Sequence, residues 1–186
     1  MQKLGCKKSE AYFAASEFAH AIEPTAATAF GCGAMYYKKG DIAKSIEYFD
    51  NAIELEQDPI QKAEYCYTAA QVLFSAKQLS KAKQYARKSI ENNGEKGDPY
   101  ILIAQMYATS PNWSEEAALN KCTYFAVIDK LQKAKSVDPS VTEKANELIS
   151  TYSRYTPKDE DLFFIGIKKG DAVTIGGWIG ETTTVR

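Results

Sequence analysis

Small and apolar residues recur with a helical period along most of this chain. In the segment 42–55 they stand at Ser45, Phe49 and Ala52, four and then three residues apart, which places them on one face of an α-helix. Gly40, just before this segment, suits the left-handed conformation in which helices commonly end. The pattern therefore predicts a helix, a tight turn and a second, amphipathic helix.

The same pattern occurs three times, and the second unit follows the first at a spacing of 37 residues. Gly33, Ala70 and Ala104 occupy equivalent positions, where a large side chain would push the two helices of a unit apart. Repetition of this kind is typical of stacked helix pairs. The framework positions are Ala29, Cys32, Gly33, Tyr36, Ser45, Phe49 and Ala52 in the first unit; Cys66, Ala69, Ala70, Leu73, Ala82, Ala86 and Ser89 in the second; and Tyr100, Ile103, Ala104, Tyr107, Val127, Leu131 and Ala134 in the third.

These residues resemble the tetratricopeptide-repeat (TPR) family, whose pattern is W-x2-L-G-x2-Y, a turn, and then A-x3-F-x2-A. The first unit departs from the pattern with Ala29 in place of Trp and Ser45 in place of Ala. The resemblance implies an all-α, TPR-type superhelix of antiparallel helix pairs (an α-solenoid) that binds other proteins. It divides an array over residues 1–156 into three full repeats, at 26–59, 60–96 and 97–140.

Further helices are predicted at both ends of the array. Residues 9–22 predict the second half of a repeat whose first half is missing. Residues 141–154 predict a capping helix over the last repeat, and Ser140 stands in capping-box form at its start. Asp58, Asp98 and Asp138, each followed by proline, are predicted to cap helices. Gly94 is predicted to end one.

The third unit and the last 30 residues break the pattern. In the third unit the connection between the helices is 11 residues longer than in the others, so its second helix is predicted to begin early, after Trp113. In the tail, residues 157–186, the runs 162–167 and 172–175 flank a turn and predict a β-hairpin. This ending is similar to the C-termini of long bacterial TPR proteins with many repeats, which implies that the chain is the C-terminal part of one.

Composition narrows the function classes. The net charge of −1 comes from 23 basic and 24 acidic residues, interspersed, and gives no electrostatic case for binding nucleic acid. No segment approaches the ~18 apolar residues of a membrane span. The first residues lack the apolar run of a signal peptide, so the chain is expected to be cytoplasmic, or a piece of an exported protein of the periplasm or cell envelope.

Candidate catalytic and metal-binding residues are sparse. Cys6, Cys32, Cys66 and Cys122 stand far apart, and free cysteines in apolar helix faces behave as small hydrophobic residues. His20 is the single histidine, and no nucleophile motif lies near it. The glycines at 176–180 match neither a phosphate loop nor a dinucleotide fingerprint. We therefore expect no enzyme, no metal and no cofactor.

The TPR resemblance implies a peptide-binding groove on the face formed by the first helix of each pair. The carboxylate clamp of chaperone-binding TPRs, made of Lys, Asn and Arg, is missing from this face, so a hydrophobic or aromatic segment is the expected ligand. The matching positions in this chain are Ala27, Phe30, Ala34, Tyr37, Glu64, Tyr67, Gln71, Phe74, Ile101, Gln105 and Ala108.

The tail is the alternative binding element. A lone hairpin is marginally stable, so we expect the tail to dock on the last helices near Trp113 and Tyr124. Filling the groove and pairing with a second copy remain alternatives, and the second would make the chain a capping and self-association module that forms homodimers. The residues for capping or self-association are Phe163, Phe164, Ile165, Trp178 and Ile179.

Overall fold

The computed structural model describes residues 15–186, and 71% of these residues lie in α- or 3-10 helices. Residues 15–22 are helical (α1), so the predicted helix 9–22 is confirmed from residue 15 onward, and its first part lies outside the described residues. The other α-helices are α2 (Ala26–Lys39), α3 (Ile42–Leu55), α4 (Pro59–Ser75), α5 (Leu79–Asn92), α6 (Asp98–Ala108), α7 (Ala117–Val137), α8 (Thr142–Tyr152) and α9 (Asp159–Phe164), and the strands are β1 (Ala172–Ile175) and β2 (Glu181–Thr184).

Three helix pairs form the body of the molecule. α2 packs on α3, α4 on α5 and α6 on α7, each pair contacts the next, and α8 packs on α7. Every framework position is buried except Tyr100, which is half-buried. The predicted all-α stack with a small C-terminal sheet is confirmed.

The close approach of helices within a pair is clearest between α2 and α3. A Cβ atom on Gly33 would lie 2.6 Å from Cδ1 of Phe49, whose side chain is fully buried. Ser45 Oγ donates a hydrogen bond of 2.8 Å to the Gly33 carbonyl oxygen. The small residue at position 33 therefore sets the distance between the two helices.

Two predicted helix ends, at Asp58 and Gly40, are confirmed, and three others are wrong. Asp58 caps α4 by accepting from the N–H of Ile60 at 3.0 Å, and Gly40 is left-handed with φ of 82°. Asp98 lies inside α6, after the N-cap Gly97. α5 ends at Asn92, and its C-cap, Asn93, has an extended backbone, so Gly94 does not end this helix.

The start of the predicted capping helix is the third correction. Asp138 caps a 3-10 turn, Pro139–Val141, and α8 begins only at Thr142 without a side-chain cap. The hydroxyl of Ser140 donates to Asp138 Oδ1 at 2.5 Å, so Ser140 supports the turn and leaves α8 uncapped. The early start of the third unit's second helix is confirmed, because α7 has 21 residues and α3 and α5 have 14 each.

The predicted strand 162–167 is wrong, because Leu162–Phe164 belongs to α9. Three carboxylates in the first turn of α9 favour a helix N-terminus electrostatically. After the last helical residue, Phe164, Gly166 is left-handed with φ of 76°, and the Ile167 N–H donates to the Leu162 carbonyl at 3.0 Å. This is the Schellman termination, and these end signals outweigh the apolar run between them.

The two-stranded sheet instead joins β1 to β2 in antiparallel register, with Val173 opposite Thr183 and Ile175 opposite Glu181. Val173, Ile175 and Val185 are buried in the same core as the helices, while residues 172, 174, 182 and 184 face outward. The sheet docks on α7, so the tail lies on the last helices, as expected. Whether residues 157–186 form a unit separate from the array 1–156 stays a prediction.

A charged network holds the tail in place. Glu181, with a side chain only 15% exposed, accepts from Lys130 Nζ at 2.6 Å and from the Tyr107 hydroxyl at 2.5 Å. Lys83 and Arg87 of α5 lie 3.6 and 3.5 Å from its Oε1 atom. One carboxylate thus links the tail to α5, α6 and α7.

The four partners of Glu181 do not contribute equally. Burial raises the pKa of Glu181, but the hydrogen bonds from Lys130 and Tyr107 and the charges of Lys130 and Lys83 outweigh it, so the pKa lies below its ordinary value. Burial also lowers the pKa of Lys83, and the attraction of Glu181 only partly offsets this. Lys130 is therefore the main partner.

Glu181→Gln tests this network. The variant keeps the side-chain shape and leaves two part-buried ammonium groups without a counter-charge. We expect the free energy of unfolding to fall by roughly 2 kcal/mol, below the ~3–5 of a fully buried pair because both side chains keep some exposure. Emission from Trp113 and Trp178, the chain's two tryptophans, reports the tail, because both contact its docking site. Glu91→Gln, which removes a carboxylate outside any described ion pair, is the matched control.

The effect of Glu181→Gln should depend on pH. A carboxylate whose pKa is lowered by folding contributes stability above its unfolded pKa, ~4.3 for Glu, and loses it as the pH falls through the lowered value. The difference between wild type and variant is therefore full above about pH 5 and shrinks in more acidic buffer. A difference that stays constant down to about pH 2 would contradict the ion-pair explanation.

Gly33→Ala tests the close approach of α2 and α3. The added methyl overlaps the ring of Phe49, and we expect a loss of about 1–3 kcal/mol in the free energy of unfolding. Gly31→Ala is the matched control two residues away, because its Cβ meets nothing within 4 Å. This control should gain up to about 1 kcal/mol from helix propensity. Chemical denaturation measures both, and equal effects of the two variants would show that position 33 is not constrained.

Candidate functional site

A cleft of 690 Å³ opens between α4 and α6, the first helices of the second and third pairs. Its size falls within the range of about 300–1,000 Å³ typical of ligand sites. No residue that lines it comes from the tail. The lining residues are Gln71, Phe74, Ser75, Lys77, Leu79, Leu102, Gln105 and Thr109.

The turn after α4 shapes one rim of this cleft. Lys77 has a φ of 59°, the left-handed conformation that Gly40 adopts at the equivalent turn of the first pair. The Gln78 N–H donates to the Leu73 carbonyl at 2.9 Å and closes the turn. A left-handed residue other than glycine is strained, and strain of this kind clusters at functional sites. The turn places an ammonium group at the cleft.

Of the predicted groove residues, Gln71, Phe74 and Gln105 come together in this cleft. Tyr37 lies on the same side of the stack, 42% exposed, with its hydroxyl donating to Ser75 Oγ at 3.4 Å. The polar groups of α2, α4 and α6 therefore face one continuous surface.

Other predicted groove residues lie apart from it. Glu64 and Tyr67 line a separate, small pocket of 60 Å³ beside Asp98, and burial with the charge of Asp98 raises the pKa of Tyr67 to about 12. Tyr67 is thus a neutral hydroxyl. Ala27 is exposed, and Ala34 and Ala108 are half-buried.

The side chains of Phe30 and Ile101 pack between helices and are not free to line the groove. Phe30 stacks on Tyr65 with ring centroids 4.5 Å apart and leans on Phe49 at 5.3 Å. Ile101 is 1% exposed, so the prediction that it faces a ligand needs correction. Helix α6 is apolar on most sides, and its periodicity alone does not distinguish the groove side from the core side.

Five residues that line the cleft are not among the predicted groove residues, namely Ser75, Lys77, Leu79, Leu102 and Thr109. Lys77 and Leu79 belong to the turn and the start of α5, whereas the prediction used only positions inside first helices. Lys77 adds one cation to a face on which none of the clamp residue types, Lys, Asn and Arg, was expected. A signal was present, because Lys77 occupies the turn position where the first unit has Gly40.

The chemistry-bearing residues are packed away from this cleft. Cys32, Cys66 and Cys122 are buried free thiols, and burial raises the pKa values of Cys66 and Cys122 to about 11; Cys6 lies outside the described residues. His20 bonds Thr28 Oγ1 at 3.0 Å and packs edge-on against Tyr48. Within residues 15–186 no three His, Cys, Asp or Glu side chains are grouped to hold a metal ion.

The predicted tail residues separate into two groups. Ile179 is 1% exposed, and half-buried Trp178 donates from Nε1 to Ser110 Oγ at 3.1 Å, so both pack inside this chain. Ile165 is half-buried. Phe163 and Phe164 are 73% and 86% exposed. Among the described helices, none is long and apolar enough to cross a membrane.

No family model matches the chain, and no curated protein does either. Among solved structures, the fold is similar to a crystal structure of MamA, with a TM-score of 0.56 at 16% identity over 83% of this chain and 88% of that one. A second crystal structure of MamA protein gives the same TM-score and identity, over 83% of this chain and 82% of that one. The likeness concerns the fold alone, and together with the stacked helix pairs it supports a TPR-type α-solenoid.

Proposed function

We propose that this chain is a protein-interaction scaffold that binds a segment of a partner protein on the face formed by α2, α4 and α6. The observation that carries the proposal is the open cleft between α4 and α6, which the docked tail leaves uncovered. Peptide recognition by helical repeats needs such an extended concave surface.

The lining of the cleft favours a hydrophobic or aromatic segment. Phe74, Leu79 and Leu102 supply apolar wall, while the amides of Gln71 and Gln105 can both donate to and accept from a peptide backbone. Lys77 is a single cation, too few for a clamp on an acidic chain terminus. The raised pKa values of Cys66 and Cys122 keep these thiols protonated, and a protonated thiol is not a nucleophile. This fits a chain that acts by binding.

A second role is favoured by the packing of the tail. Ile175 and Ile179, both at most 1% exposed, cover the last helix pairs. The tail therefore fits the role of a terminal cap of the array. Capping and partner binding use different faces and are compatible.

A matched pair of variants tests the cleft. Peptides are first selected from a random phage-displayed library on the wild-type chain, and their affinity is measured by fluorescence anisotropy. Gln71→Arg places a long charged side chain in the cleft and should weaken binding by about tenfold or more. Gln84→Arg, the same change at an exposed site on α5, should leave affinity within about twofold. Equal effects of the two variants would refute the cleft as the binding site.

Ligand class gives a second prediction. Peptides ending in acidic chaperone-type tails should bind no better than scrambled controls, because one lysine cannot form the clamp. The selected peptides should be rich in aromatic and aliphatic residues. Tight binding of an acidic C-terminal peptide, with a dissociation constant of ~1 μM, would overturn this assignment of ligand.

A further inference from the structure

Helix α9 displays two aromatic rings to solvent. Phe163 and Phe164 are 73% and 86% exposed, with ring centroids 6.5 Å apart. Their neighbours Asp159 and Glu160 line the same shallow surface. Large apolar side chains gathered on an exposed surface commonly mark an interaction site.

A second concave surface is formed by the residues that directly precede α9, together with residues 111–124 from the loop before α7 and the start of α7. This C-terminal cleft, of 470 Å³, has Tyr124 and Tyr155 in its wall, with rings stacked 5.2 Å apart, and Arg154 and Lys158 at its edge. Tyr155 is 53% exposed. The third cation of the cleft, Lys121, is already paired with Asp161 at 3.3 Å.

The charges beside these two surfaces are opposite and unpaired. Within the described part of the chain, neither Arg154 and Lys158 nor Asp159 and Glu160 take part in an ion pair. The segment 154–164 thus carries a basic, aromatic half followed by an acidic, aromatic half.

We propose that two copies of this chain associate through segment 154–164. Phe163 and Phe164 of one copy pack on the tyrosine wall of the C-terminal cleft of the other. Asp159 and Glu160 then face Arg154 and Lys158 of the opposite copy. Twofold symmetry repeats every contact, because the two halves lie side by side in one segment.

Charge complementarity is the reason to choose a second copy. A membrane surface rich in anionic lipid attracts basic segments, but Asp159 and Glu160 stand beside the two phenylalanines and oppose it. An isologous dimer satisfies both charge pairs and covers both phenylalanines at once. The surface is separate from the α4–α6 cleft, so this inference does not depend on the proposed function.

The contact is small, and the dimer is accordingly weak. One short helix and one cleft per copy bury less than the ~1,200–2,000 Å² of stable complexes, which corresponds to a dissociation constant of about 10–100 μM. Sedimentation velocity over about 1–500 μM protein should show a reversible shift from monomer to dimer. A chain that stays monomeric over this range overturns the proposal.

Substitution of the phenylalanines tests the apolar part of the contact. Phe163→Ser with Phe164→Ser should weaken association by about tenfold or more without lowering the thermal midpoint, since both rings are mostly exposed. Ile60→Ser, at a side chain 58% exposed on α4, is the control and should leave association unchanged. If the double variant dimerises as the wild type does, the contact lies elsewhere and the proposal fails.

Crossed charge reversal tests the partner. Arg154→Glu with Lys158→Glu makes both halves acidic, and Asp159→Lys with Glu160→Lys makes both halves basic. Each variant alone should be monomeric at 100 μM, a concentration near the upper end of the expected dissociation constant. An equimolar mixture should form a one-to-one heterodimer in which both charge contacts are restored. A mixture that stays monomeric, or single variants that still dimerise, would refute the proposed interface.

Discussion

The distance between the two helices of each pair is the constraint on which the rest of the structure depends. Gly33 lies directly against the buried ring of Phe49, and Ala70 and Ala104, both fully buried, hold the equivalent places in the next pairs. A close-packed interior does not tolerate an extra methyl at such a site. Because the pairs keep this spacing, first helices stack on first helices, and the α4–α6 cleft arises between them.

The tail is fixed by a different force. The tail buries five apolar side chains, but the hydrophobic effect is not directional and does not fix where the strands lie. These side chains are Leu162, Val173, Ile175, Ile179 and Val185. Polar contacts give the strands their position, among them those of Glu181, which brings together cations from two helices and the hydroxyl of Tyr107. If the strands docked elsewhere, Glu181 would leave the cluster and its cations would lose their counter-charge. The network therefore favours this one position of the strands.

The sequence predicts the structure correctly where a repeated pattern reflects a contact that recurs in each helix pair. Gly33, Phe49 and Ala104 were assigned to the interior from their spacing, and all three are buried. The predicted secondary structure is wrong where a single local interaction decides the conformation. The run at 162–167 has β-type composition, yet the acidic first turn of α9 and the left-handed Gly166 make its first three residues the end of a helix and the rest a turn.

The candidate site shows the same division. Gln71, Phe74 and Gln105 follow from repeat register, and the structure places them in one cleft. Lys77 depends on the path of a single turn, and Ile101 on which side of an apolar helix faces the core. The repeat spacing aligns Lys77 with Gly40 but does not show that its turn borders the cleft. The burial of Ile101 is not visible in the pattern, because α6 is apolar on most sides.

The docking of the tail has a consequence for how the molecule opens. In a helical solenoid, contacts join neighbouring repeats, and stability is nearly a sum of local terms, so the array can fray from either end. Here residues more than 90 positions apart, Lys83 and Glu181, are tied together across α6 and α7. We therefore expect the last two pairs and the tail to exchange their amide hydrogens as one cooperative unit that does not include α2 and α3. Among the described pairs, α2 and α3 are therefore expected to open before the pairs that the tail ties together.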